Sequence, residues 1–502
     1  MRFLRAFRAS VLMKLGGVGS PRAEAQKMQR RETCGGIWLV FLACTGCTLY
    51  PTYERTVMEM PAEWRTPFDT CEAVENEWWK QFGDPVLNDL VTGALANNQD
   101  LLVAIERVNQ YLAQLQIARS QLYPQINANG LVEREKVSTE TTVVLPGQSV
   151  VSNAYEFAFN ASYLLDFWGS VRSRATAAYH EWLASVETRR TVVLGLVSSV
   201  ASSYIQLRQY DQQLRISRET VQDREEALYQ ARIRFELGLT SQMEVEQAIS
   251  ELEFAMIEIE RIQIAIVETE NLISVLLGKP SMAIPRGRVL DTMPMPPAIP
   301  AYIPSDIVNQ RPDIRAAEER LIAANARIGI AKAAFFPQIS LVGSYGSQST
   351  QFGDLLKNAT SVWDYGSTIF QEIFTGGRLT GDLAFTRSVQ QEALHSYLST
   401  ILTAFQEVNN AISTHQIYLD LVETQRVRVE ALTLYFQLAT LRYQEGQTDY
   451  LDFLDAERQL FQGLLNLEEA RGRSFTSYIQ IYQALGGGWV TAADAEAVEC
   501  AE

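Results

Sequence analysis

The chain has 502 residues and a formal charge of −16, without the basic excess that a nucleic-acid partner requires. Removing residues 1–46 takes away eight Lys/Arg and two Asp/Glu, which leaves about −22 by the same count. Among the five cysteines and three histidines, no C-x-x-C pair faces a second such pair or a histidine cluster, so a zinc site is not expected. Composition therefore argues against nucleic-acid and metal binding, and the acidity suits either a cation-favouring lumen or an ordinary acidic surface.

The first 46 residues have the pattern of a secretory leader of the lipoprotein type. An apolar run at residues 34–46 follows two arginines and is too short to span a bilayer as a helix. Small residues then precede Cys47, the order expected where a signal is cleaved before a cysteine that becomes acylated. We predict lipid attachment at Cys47, with cleavage before Cys44 as the competing register. Counting from Met28 gives a leader of ordinary length, which predicts Met28 as the true start.

The body of the chain consists of two copies of one pattern. Residues 100–126 align without a gap on residues 313–339, at an offset of 213 and with ten identical positions. At an offset of 208, Arg234, Gly238, Thr240, Ala248 and Leu252 align with Arg442, Gly446, Thr448, Ala456 and Leu460. Each copy is predicted to contain a helix, a variable segment, a long helix, a tight turn and a helix. Doubled long-helix units of this kind are typical of rings and arrays.

Uninterrupted stretches predict long helices in both copies. A first helix is predicted at about residues 86–122, ended by Pro124. Residues 171–236 contain no proline and one glycine, which predicts a helix about 100 Å long, and residues 379–445 are similar. Within the latter, a coiled-coil seam is predicted from apolar spacing at Leu398, Ile401, Phe405, Val408, Ile412, His415, Leu419 and Val422. We expect lengthwise helix packing, with His415 as a packed side chain rather than a ligand.

The segments between the helices predict two strands in each copy, within about residues 125–170 and 338–377. In the first segment Tyr155, Phe157 and Phe159 alternate with polar or small residues. Strands of about ten residues suit a membrane β-barrel, although a soluble hairpin is the alternative. Four strands cannot close a barrel, and an open sheet edge is not tolerated in lipid. Membrane insertion would therefore need two or three copies, and a lumen open to solutes favours three.

Both long helices are predicted to end at a glycine, Gly238 in the first copy and Gly446 in the second. Glycine takes the left-handed conformation that ends helices, and the threonines that follow, Thr240 and Thr448, are predicted to cap the next helix. These turns are the tips of helical hairpins. They lie at the end of the long helices that is farthest from the predicted strands.

Several short motifs occur in a fixed order along residues 47–486. They are Gly46-Cys47, Trp78-Trp79-Lys80-Gln81-Phe82-Gly83-Asp84-Pro85, Asn97-Asn98-Gln99-Asp100-Leu101, Arg311-Pro312-Asp313-Ile314, Phe336-Pro337-Gln338-Ile339 and Arg442-Tyr443-Gln444-Glu445-Gly446. In this order and doubled arrangement the chain resembles the outer membrane factors, TolC-like channel proteins of Gram-negative bacteria, and in particular their OprM-like, NodT-type lipoprotein branch. The resemblance implies a mainly α fold with a membrane β-barrel portion. It also implies a homotrimer whose twelve-stranded barrel continues as an α-helical barrel across the periplasm.

The resemblance also assigns roles to residues near the tips. It implies docking onto a periplasmic adaptor, coupled to an inner-membrane pump, through Gly238, Leu239, Thr240, Gly446, Gln447 and Thr448. It implies a periplasmic gate at Leu451, Asp452 and Asp455. Three symmetry-related carboxylates in a narrow pore would raise one another's pKa and attract cations. The first-copy equivalents of the two aspartates are Glu244 and Gln247, and Arg234 and Arg442 are candidate partners of the acids.

The predicted divisions are a leader (1–46), a lipidated linker (47–84), a first repeat (85–279), a proline-rich linker (280–304), a second repeat (305–486) and a tail (487–502). The predicted function is an exit duct for small molecules in the outer membrane, passive, and without a cofactor beyond the lipid on Cys47. A type I protein-secretion duct is one alternative, and a periplasmic coiled-coil tether or adaptor without a pore is another. Nucleotide-binding, esterase and zinc-protease motifs are absent from the sequence, so no enzymatic activity is expected.

Overall fold

The structure is a computed structural model that describes residues 49–56, 58, 64, 70–71, 77–138, 140, 149–294, 299–300 and 307–487. The predicted leader and Cys47 lie outside the described residues. The helices are α1 (Pro85–Asn97), α2 (Gln99–Ser120), α3 (Ser170–Glu236), α4 (Gln242–Leu276), α5 (Pro312–Ala333), α6 (Arg378–Gln444) and α7 (Tyr450–Ala484). The strands of the main sheet are β1 (Gln125–Lys136), β2 (Val151–Leu165), β3 (Gln338–Ser349) and β4 (Ser361–Phe370).

The two copies match element by element in length. α3 and α6 each have 67 residues, α4 and α7 each have 35, and α2 and α5 each have 22. β1 and β3 have 12 residues each, whereas β2 has 15 and β4 has 10. The change of offset between the copies therefore falls after the first strand of each pair, within the predicted segment. The predicted long helices are confirmed to within one residue.

The predicted first helix is wrong as a single element, because it is broken at Asn98 into α1 and α2. Asn98 has an extended backbone conformation, and its side-chain oxygen accepts a hydrogen bond from the amide of Leu101 at 2.9 Å. Its side-chain amide donates to the carbonyl of Leu276, also at 2.9 Å. Asparagine is a favoured N-cap, and here the buried cap fastens the break to the end of α4.

The helices form one layer rather than a bundle around a central core. Near the sheet the order across the layer is α2, α3, α5, α6, and toward the tips it is α4, α3, α7, α6. The predicted seam of α6 is buried at Ile401, Val408, Ile412 and His415, whereas Leu419 is 39% exposed, so the seam covers only part of the predicted length. Among the described residues, no helix is both long and apolar enough to cross a membrane.

An aromatic cluster fixes the middle of the layer. The 3-10 turn Trp78–Phe82 precedes α1, and Trp78 stacks on Tyr482 of α7 with ring centres 5.2 Å apart. Asp84, fully buried, caps α1 and accepts hydrogen bonds from the hydroxyl of Tyr204 (2.7 Å) and the amide of Arg288 (2.9 Å). These contacts join the segment before α1 to both long-helix pairs.

The sheet is antiparallel throughout, in the order β1, β2, β3, β4. The predicted strand pairs are confirmed, and the first strand, β1, extends to Lys136. Across β2, β3 and β4, Phe159, Tyr345 and Trp363 are paired neighbours on one face. Because side chains alternate along a strand, the polar row with Asn160 and Ser344 lies on the other face.

Residues 49–56 run along α5. The side-chain amide of Asn325 donates to the carbonyl of Pro51 at 2.7 Å, and the hydroxyl of Tyr53 donates to Glu318 at 3.0 Å. Arg55 pairs with the same Glu318 at 2.6 Å. A Cβ on Gly329 would lie 3.0 Å from the Cβ of Tyr50, so this segment reaches the end of α5 that adjoins β3.

Candidate functional site at the helical tips

The two helical hairpins end in equivalent turns. Gly238 and Gly446 are both left-handed, with φ of 74° and 70°. The amide of Leu239 donates to the carbonyl of Arg234 at 2.8 Å, and the corresponding bond of the second turn has the same length. This Schellman arrangement satisfies carbonyls at the end of each long helix. The residues in the two turns are Gly238, Leu239 and Thr240 in the first and Gly446, Gln447 and Thr448 in the second.

The predicted threonine caps are wrong. The N-caps of α4 and α7 are Ser241 and Asp449, one residue later, and neither side chain makes a capping hydrogen bond. The hydroxyl of Thr448 instead donates to the carboxylate of Asp452. The hydroxyl of Thr240 is buried and has no partner among the described residues. The backbone stays extended for one residue more than the sequence suggested, which moves the caps.

The predicted gate residues lie on the first two turns of α7, directly after the second tip. Leu451, Asp452 and Asp455 are all exposed in a single chain. The carboxylate of Asp455 accepts hydrogen bonds from the side-chain amide of Gln459 at 2.7 Å and the hydroxyl of Tyr435 at 3.4 Å. Residues four apart share one face of a helix, so Leu451 and Asp455 form one exposed strip beside the tip.

Contacts between the two hairpins join them just above the tips. The hydroxyl of Tyr443, on α6, lies 3.4 Å from a carboxylate oxygen of Glu244, on α4. The guanidinium of Arg234 lies 4.9 Å from the ring centre of Tyr443. Burial, and then the charge of Glu244, raises the pKa of Tyr443. Sequence analysis suggested Arg234 and Arg442 as partners of the gate acids, but in the described part of one chain neither pairs with them.

A buried ionic cluster higher in the layer was missed by the sequence analysis. Arg224 of α3 has a side chain only 1% exposed, and its Nε donates to the carboxylate of Glu457 of α7 at 2.8 Å. Its Nη2 lies 3.4 Å from the carboxylate of Glu251 of α4, which also accepts from Arg458 at 2.7 Å. The guanidinium lies 5.3 Å from the ring centre of Phe461. Burial raises the pKa of Glu457, and Arg224 opposes that shift.

The tips carry exposed acids and exposed apolar side chains beside the two turns. Among the described residues, no group of three or more His, Cys, Asp or Glu side chains could hold a metal ion.

Comparison with known proteins identifies the class. The model of the outer membrane efflux protein family matches residues 90–279 and 303–487. The chain therefore belongs to the outer membrane efflux protein family. It is 34% identical over 462 residues to the toluene efflux pump outer membrane protein TtgF of Pseudomonas putida, covering 89% of this chain and 95% of that protein. It is 33% identical over 459 residues to the cation efflux system protein CusC of Escherichia coli, covering 90% and 97%.

Solved structures of outer membrane channels have the same fold as this chain. The open state of the Neisseria gonorrhoeae outer membrane channel MtrE matches with a TM-score of 0.77 and 31% identity, covering 88% of this chain and 99% of that one. The Campylobacter jejuni channel CmeC matches with a TM-score of 0.83 at 23% identity, covering 90% and 98%, and supports the fold alone. The chain has the mainly α fold of these channels, with strands that supply part of a membrane β-barrel. Its function is that of an outer-membrane efflux duct, so the predicted resemblance is confirmed and the pore-less tether is set aside.

Proposed function

We propose that three copies of this chain form one duct that releases small toxic molecules through the outer membrane. A periplasmic adaptor and an inner-membrane pump would deliver the cargo to the helical tips. The observation that carries the proposal is that the chain stops at unpartnered edges in both of its layers. These edges are β1 and β4 in the sheet, and α2, α4 and α6 among the helices.

The two edge strands of the sheet, β1 and β4, would pair between neighbouring copies. Every residue of β1 and β4 is exposed in a single chain. The four strands alternate in direction, so β4 of one copy would lie antiparallel to β1 of the next, and the sheet would continue without a break. An open edge is not tolerated in lipid, four strands cannot close, and three copies supply twelve. The apolar row with Phe159, Tyr345 and Trp363 would face lipid, and the row with Asn160 and Ser344 would face the lumen.

Each helical edge carries an exposed apolar stripe. On α6 the stripe consists of Val427, Leu434, Leu438 and Leu441. On α4, at the opposite edge, it consists of Phe254, Ile257, Ile264 and Val267. Apolar stripes on long helices need partner helices to remove them from water. A neighbouring copy in a ring would cover both stripes at once, since its α4 would meet α6.

The lipid anchor on Cys47 is the second part of the proposal. Tyr50 contacts Gly329 and lies beside Ser173, where α5 ends and α3 begins, next to the base of the sheet. Three residues of extended chain span about 10 Å, so acyl chains on Cys47 would reach the inner surface of the membrane. Intact-mass analysis of the purified protein should show acylation that Cys47→Ser removes and Cys44→Ser keeps. If Cys44→Ser removes the acylation and Cys47→Ser does not, Cys47 is not the attachment site.

The gate and the docking tips complete the proposal. In a three-fold ring the strip with Leu451, Asp452 and Asp455 would close the pore beside the tips and favour cations. The adaptor would contact the turns at Gly238 and Gly446. Small-molecule cargo is supported by the relatives, since the names of the toluene efflux protein TtgF and the cation efflux protein CusC refer to small solutes.

The test is single-channel conductance of the purified protein in planar bilayers. We expect a small, cation-selective conductance that grows and loses selectivity in Asp452→Asn/Asp455→Asn, because the variant removes six carboxylates from a trimer's pore. The matched control is Glu423→Gln/Glu430→Gln, two exposed acids of α6 that pair with Arg426 away from the tips. A conducting pore that both variants leave unchanged would reject these gate residues. A monomer without conductance would reject the duct.

A further inference from the structure

Two large apolar side chains stand almost fully exposed where the sheet meets the helical layer. Ile373 and Phe374 are 95% and 91% exposed, and they lie on the short connection, residues 371–377, between β4 and α6. Both flanking elements are edges of the chain. Exposed pairs of this size are unusual on a stable surface unless another molecule covers them.

The connection is held in place by its own contacts. The side-chain amide of Gln371 donates to the carbonyl of Phe335 at 3.3 Å. Glu372 forms an ion pair with Arg378, and the amide of Arg378 donates to the carbonyl of Thr375 at 3.1 Å. Left-handed Gly377 then starts α6. Residues on both sides of Ile373 and Phe374 are therefore anchored, so the two side chains are presented outward by the fold.

The opposite edge of the chain carries a second exposed apolar patch, also at the end of the sheet that adjoins the helices. Ile117, Tyr123 and Ile126 are 66%, 68% and 73% exposed, at the junction of α2 and β1. The base of the sheet runs through Gln125 paired with Ser162, Leu165 paired with Ile339, and Gln338 paired with Phe370. Both patches thus lie at the end of the sheet that adjoins the helices, one beside each edge strand.

We propose that Ile373 and Phe374 of one copy pack against the Ile117–Tyr123–Ile126 patch of the next copy, forming an apolar lock at each seam of the assembly. The inference rests on the proposed ring and identifies where it is held together. Continuity favours a second copy as the occupant, because pairing β4 with a neighbouring antiparallel β1 would bring the two junctions together at the helix-facing end of the sheet. The ion pair of Glu372 with Arg378 beside the patch also suits a protein neighbour better than acyl chains.

The first test is a disulfide between Tyr123→Cys and Phe374→Cys in the full-length, membrane-extracted protein, oxidised with copper phenanthroline. Within one chain these positions lie on opposite edges of four strands, about 14 Å apart at a strand spacing of about 4.8 Å. A disulfide spans about 7 Å between Cα atoms at most, so this bond can only join copies. We expect two- and three-chain bands on non-reducing gels, absent from each single-cysteine variant.

The second test compares Ile373→Ser/Phe374→Ser with Leu356→Ser. Leu356 is 90% exposed but lies in the connection between β3 and β4, at the other end of the sheet, so it is the matched control. We expect the lock variant to lower the temperature at which the trimer dissociates and the control to leave it unchanged. Since the chain's own fold does not bury these side chains, the variants should fold.

The outcomes separate the inference from the proposed function. A trimer in native mass spectrometry that gives no cross-linked bands, or that dissociates at the same temperature in both variants, would overturn the lock while keeping the duct. Such a result would leave lipid or another partner as the cover. A monomer in native mass spectrometry would overturn the proposed ring itself.

Discussion

At the scale of single residues, buried ionisable groups set how the long helices are joined. His415 of α6 is 6% exposed, and its Nδ1 lies 2.9 Å from the hydroxyl of Ser477 of α7, with the ring of Tyr478 beside it. Arg224 links three helices at once. Burying such a group destabilises the fold if the group is charged and its partner is absent. The stability of the helix packing therefore depends on pH and on substitutions at these positions.

The fold should lose stability as the pH falls, in part through His415. Burial lowers its pKa from the ordinary value of 6.5, so below that pH the unfolded chain binds a proton that the folded chain does not bind. Stability therefore rises with pH across the interval between the lowered pKa and 6.5. Thermal melts at about pH 7.5 and pH 5.5 should differ less in His415→Gln than in the unmodified protein. An identical difference would exclude this histidine as a source of pH dependence.

Replacing Arg224 alone should be far more harmful than replacing its ion pair. Arg224→Met leaves the carboxylate of Glu457 buried and unpaired, which costs about 3–5 kcal/mol in such sites. Arg224→Met/Glu457→Leu removes both charges and should recover most of that loss, while Glu251 keeps Arg458. Denaturant unfolding of both variants measures the difference. A double variant as unstable as the single one would show that the pair is not the relevant interaction.

At the scale of elements, packing decides details that the residue pattern leaves open. The alternation of β2 predicts a strand, but only the register places Gly346 of β3 opposite Ala158. A Cβ on Gly346 would lie 2.2 Å from the carbonyl oxygen of Phe157, which is backbone and cannot move aside easily. In the same way, only the packing of α4 shows why α1 and α2 break at Asn98.

The register of the sheet predicts that substituting alanine for glycine lowers the stability of the fold by different amounts at two positions. Gly346→Ala forces β2 and β3 apart, as overpacking does, and should cost about 1–3 kcal/mol. Gly366→Ala in β4 is the control, because a Cβ there meets nothing within 4 Å, and it should change stability by less than about 0.5 kcal/mol. Heat-induced unfolding, followed by the gel shift of the folded form, compares the two. Equal effects would contradict the close approach of β2 to Gly346.

At the scale of the whole molecule, the described part of one chain leaves both of its layers open. Its sheet and its helical layer both end at edges, and the apolar stripes of α4 and α6 have no cover within the described chain. The comparisons establish an outer membrane efflux channel. The proposed ring would close these edges by pairing each copy with the next.

Placing negative charges in the apolar stripe of α6 should prevent copies of the chain from assembling into the proposed ring. Leu434→Glu/Leu438→Glu places two carboxylates in the edge that a neighbouring α4 would cover, and we expect monomers with the helical content preserved. Leu434→Met/Leu438→Met keeps the edge apolar at similar volume and should leave the trimer intact. Native mass spectrometry and circular dichroism measure the two effects. A trimeric glutamate variant would show that this stripe is not at the seam.

The sequence by itself determined the long helices, their glycine turns, the strand pairs and the doubling, because periodicity, proline absence and helix-ending glycines act locally. Leu451, Asp452 and Asp455 were indicated by the resemblance to the outer membrane factors and not by a local pattern, and the structure shows all three exposed on α7. The tertiary structure alone decided the break at Asn98, the buried pairing of Arg224 with Glu457, and the contact of Tyr443 with Glu244. Those features join segments up to 233 residues apart, and no local pattern specifies which distant charges will meet when two helices are packed together.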